Sequence, residues 1–152
     1  LTDGSVIFTP NLFAVGTTVD RVRYEMARVD AGIKEKGFSL EAEYYWRWLS
    51  DFRGTNTAGV ADIDDDGFQV AASAKIVPKV VEGYAGGSEI RGVFANASET
   101  RARVSWYVVK KRGLRFNTEW LHLIRCPVGY TAVPYPVGGN GDVYHVNFEM
   151  NF

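Results

Sequence analysis

The sequence predicts an all-β chain folded as an antiparallel up-and-down meander. Three observations carry that expectation: segments in which apolar and polar residues alternate one by one, a composition rich in aromatics and glycine, and connections that alternate between short and long. Of 152 residues, 14% are aromatic (nine Phe, eight Tyr, four Trp) and 16 are glycine. Such a mixture favours pleated strands joined by many turns. With 46% hydrophobic and 23% charged residues the composition is not that of a disordered chain. The formal charge is 17 − 18 = −1, so nothing suggests a nucleic-acid partner. A single cysteine excludes a disulfide framework. No apolar run reaches the ~18 residues of a membrane-spanning helix. The chain starts at Leu1 with no initiator Met and no signal segment, as expected of a processed protein or of a fragment.

Eight strands follow in order. The first, about 5–15, alternates weakly, and Pro10 limits where it can pair. The second, about 24–33, reads as an extended hairpin arm. A helical reading of 22–29 loses to Gly32 and to the turn at 34–37. In the third, Phe38, Leu40, Ala42, Tyr44, Trp46 and Trp48 alternate with Ser39, Glu41, Glu43, Tyr45 and Arg47. The fourth sets Phe68, Val70, Ala72, Ala74 and Ile76 against Gln69, Ala71, Ser73 and Lys75. The fifth, about 80–88, is weaker. The sixth sets Ala102, Val104, Trp106 and Val108 against Arg101, Arg103, Ser105 and Tyr107. The seventh sets Leu114, Phe116, Thr118 and Trp120 against Arg115, Asn117 and Glu119. Its phase breaks at Leu121-His122-Leu123, which suggests a bulge or a strand end. The eighth, 143–152, has near-perfect period two, which a helix would spread over every face. Short connections fall at 34–37, 78–79 and 110–113, and long ones at 51–66, 89–100 and 126–142. No linker divides the chain, so 1–152 reads as a single β-barrel segment.

Alternation does not say which face is inside. A soluble barrel buries its apolar face, whereas a membrane barrel turns it to lipid and keeps polar residues in the lumen. Strands of about 9–11 residues match a tilted bilayer crossing. Tyr44, Trp46, Trp48, Trp106, Phe148 and Phe152 gather near strand ends, as interfacial girdles require. Arg101 and Arg103 on one polar face come near Glu119 on the next strand, a pairing suited to a hydrated lumen. The expected fold is therefore an all-β, antiparallel up-and-down transmembrane β-barrel.

The last strand presents Tyr144, Val146, Phe148, Met150 and the terminal Phe152 at alternate positions. It resembles the assembly signal of bacterial outer-membrane barrels, which implies recognition by the barrel-assembly machinery. From Phe38 onward, FSLEAEYYWRWLSDF, FQVAASAKIVPK, RARVSWYVVKKRGLRFNTEW and the stretch 126–139 before the terminal strand resemble the C-terminal half of phosphate-selective porins of types O and P. The likeness covers roughly three quarters of the chain. It departs at Cys126, where Ser would be expected. The resemblance implies a larger barrel of about sixteen strands, a homotrimer, an outer-membrane location among lipid and lipopolysaccharide, and no cofactor. It further implies passive diffusion of small hydrophilic or anionic solutes, phosphate among them, with no enzyme activity. The alternatives are a complete eight-stranded outer-membrane barrel serving as an anchor or adhesion platform, and a soluble β-barrel that binds a ligand.

Selectivity in a pore is electrostatic. The pore-lining candidates are Arg47, Lys75, Arg101, Arg103 and Arg115 against Glu41, Glu43, Glu119 and Glu149. Acids nearly balance bases, which weakens any anion preference, and salt bridges that merely fill the lumen are an equal alternative for each residue. Asp62, Asp64 and Asp66 begin a calcium-loop pattern. Its twelfth position falls on Ser73 instead of Glu, so a solvated acidic loop is the default and a metal site a weak candidate. His122 and His145 have no ligand partners at metal spacing in sequence. Cys126 has no catalytic motif around it.

Overall fold

The computed structural model describes residues 13, 15–93, 96–108, 114–126 and 138–150. They form one antiparallel sheet of seven strands in the order of the chain: β1 (Thr18–Glu35), β2 (Phe38–Thr55), β3 (Ile63–Val77), β4 (Val81–Gly92), β5 (Ala97–Tyr107), β6 (Leu114–Ile124) and β7 (Gly141–Met150). The up-and-down meander expected from the alternation is present. The expected first strand at 5–15 lies outside the described residues except for Phe13 and Val15, as do the turn at 110–113 and Phe152.

Turn chemistry sets the register. Between β1 and β2 the two-residue turn Lys36-Gly37 has φ of 42° and 89°. Positive φ at both central positions is the twist that a right-handed hairpin needs. From it the ladder runs without a shift from Glu35↔Phe38 to Arg23↔Ser50.

Besides β1, which starts at Thr18 where the sequence suggested about 24, three features differ from the sequence reading. The loop expected at 51–66 shrinks, because β2 continues to Thr55 and β3 begins at Ile63. The loop expected at 89–100 shrinks likewise, because β4 reaches Gly92 and β5 starts at Ala97. These extensions carry Asp, Gly and Arg. Backbone pairing continues past the point where an apolar face is needed, so the alternation fades before the ladder does. The third difference is the phase break at Leu121–Leu123, which is not a bulge; the strand ends just beyond it, at Ile124. β6 pairs with β7 in unbroken register from Leu114↔Met150 to Leu123↔Gly141. The backbone is regular, and what changes is the chemistry of each face.

Cross-strand register carries one face through the whole sheet. Leu40, Val70, Ala85, Val104, Phe116 and Phe148 share the apolar face with Tyr44, Trp46, Trp106, Trp120 and Tyr144. Across β5 exposure is inverted relative to a sheet that buries its apolar face. Val104 is 43% and Trp106 49% exposed, yet Ser105 between them, on the other face, is 7% exposed. Large apolar side chains stand open on six strands, far more than the scattered ones of a soluble surface. The sheet is open among the described residues, with β1 pairing only β2 and β7 only β6. Because seven strands alternate in direction, β1 and β7 run the same way.

Candidate pore-lining face

The polar face is assembled by the same register. Arg47, Arg101, Arg103, Arg115, Glu41, Glu43, Glu119 and Glu149 all fall on it, and Lys75 joins them by alternation from Ser73. All nine residues singled out from the sequence therefore share one face.

Most of its charges are matched by a neighbour. Arg115 on β6 stands opposite Glu149 on β7, and the two form a hydrogen-bonded ion pair. Arg47 Nε and Nη2 donate to the two Asp65 carboxylate oxygens at 2.8 and 2.5 Å. This fork is the most geometrically specific pairing a guanidinium can make. The Asp65 side chain is only 9% exposed, so leaving it without Arg47 would strand a desolvated charge. Arg28 lies 3.8 Å from Glu43, and Arg101 lies 3.5 Å from Glu99. Glu119 stands opposite both Arg103 and His145, with the His145 Nδ1 at 4.0 Å.

Arg101 and Arg103 share a third partner. Their guanidinium carbons lie 5.2 and 5.1 Å from the centroid of the Tyr84 ring. Those distances allow cation–π attraction with the ring. Among the described residues Arg103, Lys75 and Glu41 form no ion pair within 4 Å. A polar cavity of about 470 Å³ is lined by Arg28 and Asp30 of β1, Glu41 and Glu43 of β2, and Tyr84 and Arg101 of β4 and β5. One hollow touching β1 and β5 means that the sheet curls towards its polar face.

Glycines on this face make room for the aromatics. A Cβ on Gly67 would run into the Tyr45 ring, and it would sit 2.8 Å from the Glu89 carbonyl oxygen. Only a residue without a side chain fits there.

The apolar face is bordered by polar tips. Tyr44 Oη donates to Asp66 at 2.6 Å, and Trp120 Nε1 donates to Asp142 at 2.8 Å, with His122 Nδ1 2.9 Å from the same oxygen. Aromatic bodies thus lie on the apolar band while their polar atoms reach carboxylates at the loop end, as ring side chains do at a boundary between apolar and wet surroundings. Tyr144, Val146, Phe148 and Met150 line the exposed apolar face of β7. Phe152, the last member of the proposed assembly signal, lies outside the described residues.

One sequence reading needs correction. Asp64 and Asp66 do not belong to a loop: they lie within β3, facing Trp48 and Trp46 across the ladder, and Asp66 is taken by Tyr44. Asp64 and Asp66 therefore sit on extended strand, with Asp62 just before it. Alternate side chains on one face are spaced about 7 Å apart, too far to wrap one ion, and no three-residue ligand group occurs among the described residues. The two histidines, which the sequence left without partners at metal spacing, each meet one carboxylate on a neighbouring strand. Spacing along the chain cannot reveal a cross-strand partner. For the same reason Arg28, Asp65, Tyr84 and Glu99 escaped notice. Asp65 was hidden in an apparent loop, and Tyr84 in a glycine-rich strand with little alternation. Cys126 sits at the loop end, as expected, but it is buried at 2% exposure.

No known family model, curated protein or solved structure matches the chain.

Proposed function

We propose that this chain is a segment of an outer-membrane β-barrel pore, with the apolar face turned to lipid and the polar face lining a water-filled lumen. The observation that carries the reading is the inverted exposure across β5, where Ser105 is enclosed while Val104 and Trp106 stand open. A soluble barrel that buries its apolar face would show the opposite.

A pore is favoured over a filled eight-stranded anchor by the pattern of charge pairs. Every ion pair among the described residues lies within one strand, between immediate neighbours or at the β1–β2 turn. In a barrel of about eight strands the interior is filled, and side chains meet across the axis. Pairing along the wall leaves the middle to water.

The solutes are small and hydrophilic. Arg47, Arg101 and Arg115 are each neutralised nearby, leaving Arg103 and Lys75 against the unpaired Glu41, so any preference for anions, phosphate among them, is slight. The resemblance to phosphate-selective porins supports the same assignment, together with a trimeric assembly and delivery by the barrel-assembly machinery through the terminal aromatic strand. Reconstitution of the full-length protein into planar bilayers under a KCl gradient tests it. Stepwise conductance with a small anion-directed reversal potential is expected, reduced by Arg103→Gln. A wild-type protein that inserts without conducting would refute the passive pore.

A further inference from the structure

We propose that the hollow on the polar face is a bipolar binding site for small zwitterions, molecules of amino-acid or dipeptide size that carry an ammonium at one end and a carboxylate at the other. The proposal rests on the pore reading above and names its class of solute. One row of the ladder builds the site. Glu41 of β2 faces Ala71 of β3, Ala71 faces Gly86 of β4, and Gly86 faces Arg101 of β5. An acid and a base therefore stand at the two ends of a floor of small residues. Three strand spacings hold their backbones roughly 14 Å apart along the sheet, and Glu41 makes no ion pair among the described residues. Glu41, Ala71 and Arg101 all line the hollow of about 470 Å³, a volume suited to a small molecule.

The basic wall gathers donors over Gly86. A Cβ placed on this glycine would lie 3.2 Å from Tyr84 Oη and 3.5 Å from Arg101 Nε, so the hydroxyl and the guanidinium converge above one bare stretch of backbone. Arg101 Nε also lies 3.5 Å from Glu99. Its two Nη groups and Tyr84 Oη make no hydrogen bond among the described residues, which leaves them free to donate to a carboxylate. On the acidic wall Asp30 stands opposite Glu43. Arg28 takes Glu43 at 3.8 Å, while Asp30 and Glu41 are exposed and without an ion pair among the described residues.

This arrangement discriminates by charge pattern. A plain anion drawn to Arg101 also meets the carboxylates of the facing wall, and a plain cation drawn to Asp30 and Glu41 also meets the guanidinium. A zwitterion satisfies both walls, its carboxylate accepting from Arg101 and Tyr84 and its ammonium donating to Asp30 and Glu41. Hydrogen bonds of this charge-assisted kind are stronger than those between neutral groups.

The test titrates the detergent-refolded full-length protein with glycylglycine, ethylamine and propionate by ligand-observed NMR, and records planar-bilayer conductance in parallel. Glycylglycine should bind about tenfold more tightly than either singly charged probe. Glu41→Gln should weaken glycylglycine to the level of propionate, and Arg101→Gln to that of ethylamine. Ala71→Leu fills the floor, leaves every charge in place, and should weaken glycylglycine as well. Equal binding of the three probes, or a glycylglycine affinity unchanged by Glu41→Gln, would overturn the site. A wild type that conducts without binding glycylglycine overturns the site and leaves the pore reading intact. One that binds it without conducting supports the site and overturns the pore, and one that does neither overturns both. If Arg101→Gln or Ala71→Leu does not fold, Glu41→Gln, at an exposed position without an ion pair, decides by the same outcomes.

Discussion

Val104→Lys is the sharpest test of which face meets lipid. Val104 lies at the centre of the outward series Thr100, Ala102, Val104, Trp106 and Val108, and it is 43% exposed. Four residues separate it from either end of that series. At about 3.4 Å per residue and a tilt of about 40°, the position is roughly 10 Å deep from each border, close to the midplane of a band about 25 Å tall. A lysine there should cost about 2–4 kcal/mol. In water the same half-exposed site would tolerate it within about 0.5 kcal/mol. The matched control is Gln69→Lys, exposed on the polar face of β3 and opposite Glu43 and Ser88, where the new cation meets an acid. Equilibrium unfolding in denaturant from phospholipid vesicles measures both. The expected loss for Val104→Lys corresponds to about 30- to 800-fold in the folding equilibrium, with Gln69→Lys near wild type. If Val104→Lys destabilises no more than Gln69→Lys, the sheet has been assigned inside out.

Three further outcomes follow from local geometry. Gly67→Ala should destabilise by about 1–3 kcal/mol through the overlap with Tyr45 and the Glu89 carbonyl, seen as a lower denaturation midpoint. An unchanged midpoint would mean that Tyr45 does not lie over Gly67. Lys36→Asn should stabilise by about 0.5–1 kcal/mol, because φ at this position is 42° and Asn tolerates the left-handed region better than Lys; a loss of stability in the same assay would contradict the turn. Cys126, buried at 2% exposure, should resist a membrane-impermeant thiol reagent on intact cells, whereas Ala58→Cys, exposed between β2 and β3, should be labelled. Labelling of Lys36→Cys but not of Ala58→Cys would reverse the orientation.

What the sequence made legible follows from where one face of the sheet is apolar. Alternation is strict only where one face must be apolar, so the middles of β2, β3, β5, β6 and β7 were readable while their loop ends were not. β2 continues through Asp51, Arg53 and Gly54 in residues that resemble a loop, because the backbone ladder needs no apolar side chains to hold it in water. Facing was readable too, and each residue proposed for the lumen falls on one face. Partners were not. Arg47 meets Asp65 and Glu119 meets His145 through register, which depends on turn geometry at Lys36-Gly37 and elsewhere. Leu121 and Leu123 were misread for an instructive reason: a regular strand changed the chemistry of its inner face, and the change looked like a change of backbone.

The direction of the outermost strands constrains how such a sheet could live in hydrocarbon. Each unpaired edge group in a bilayer core costs several kcal/mol, so an open sheet cannot remain open there. β1 offers an edge of 18 residues and β7 one of 10, and both run from the loop end to the turn end. Direct closure between them would make a parallel pair, out of keeping with every other pairing in the sheet. Antiparallel closure therefore requires an odd number of further strands between β7 and β1. One such strand would close a barrel of eight, which is narrow and filled; nine would close one of about sixteen, wide enough for a channel. The wall-hugging salt bridges speak for the wider barrel, since charges facing a narrow core would find partners across it.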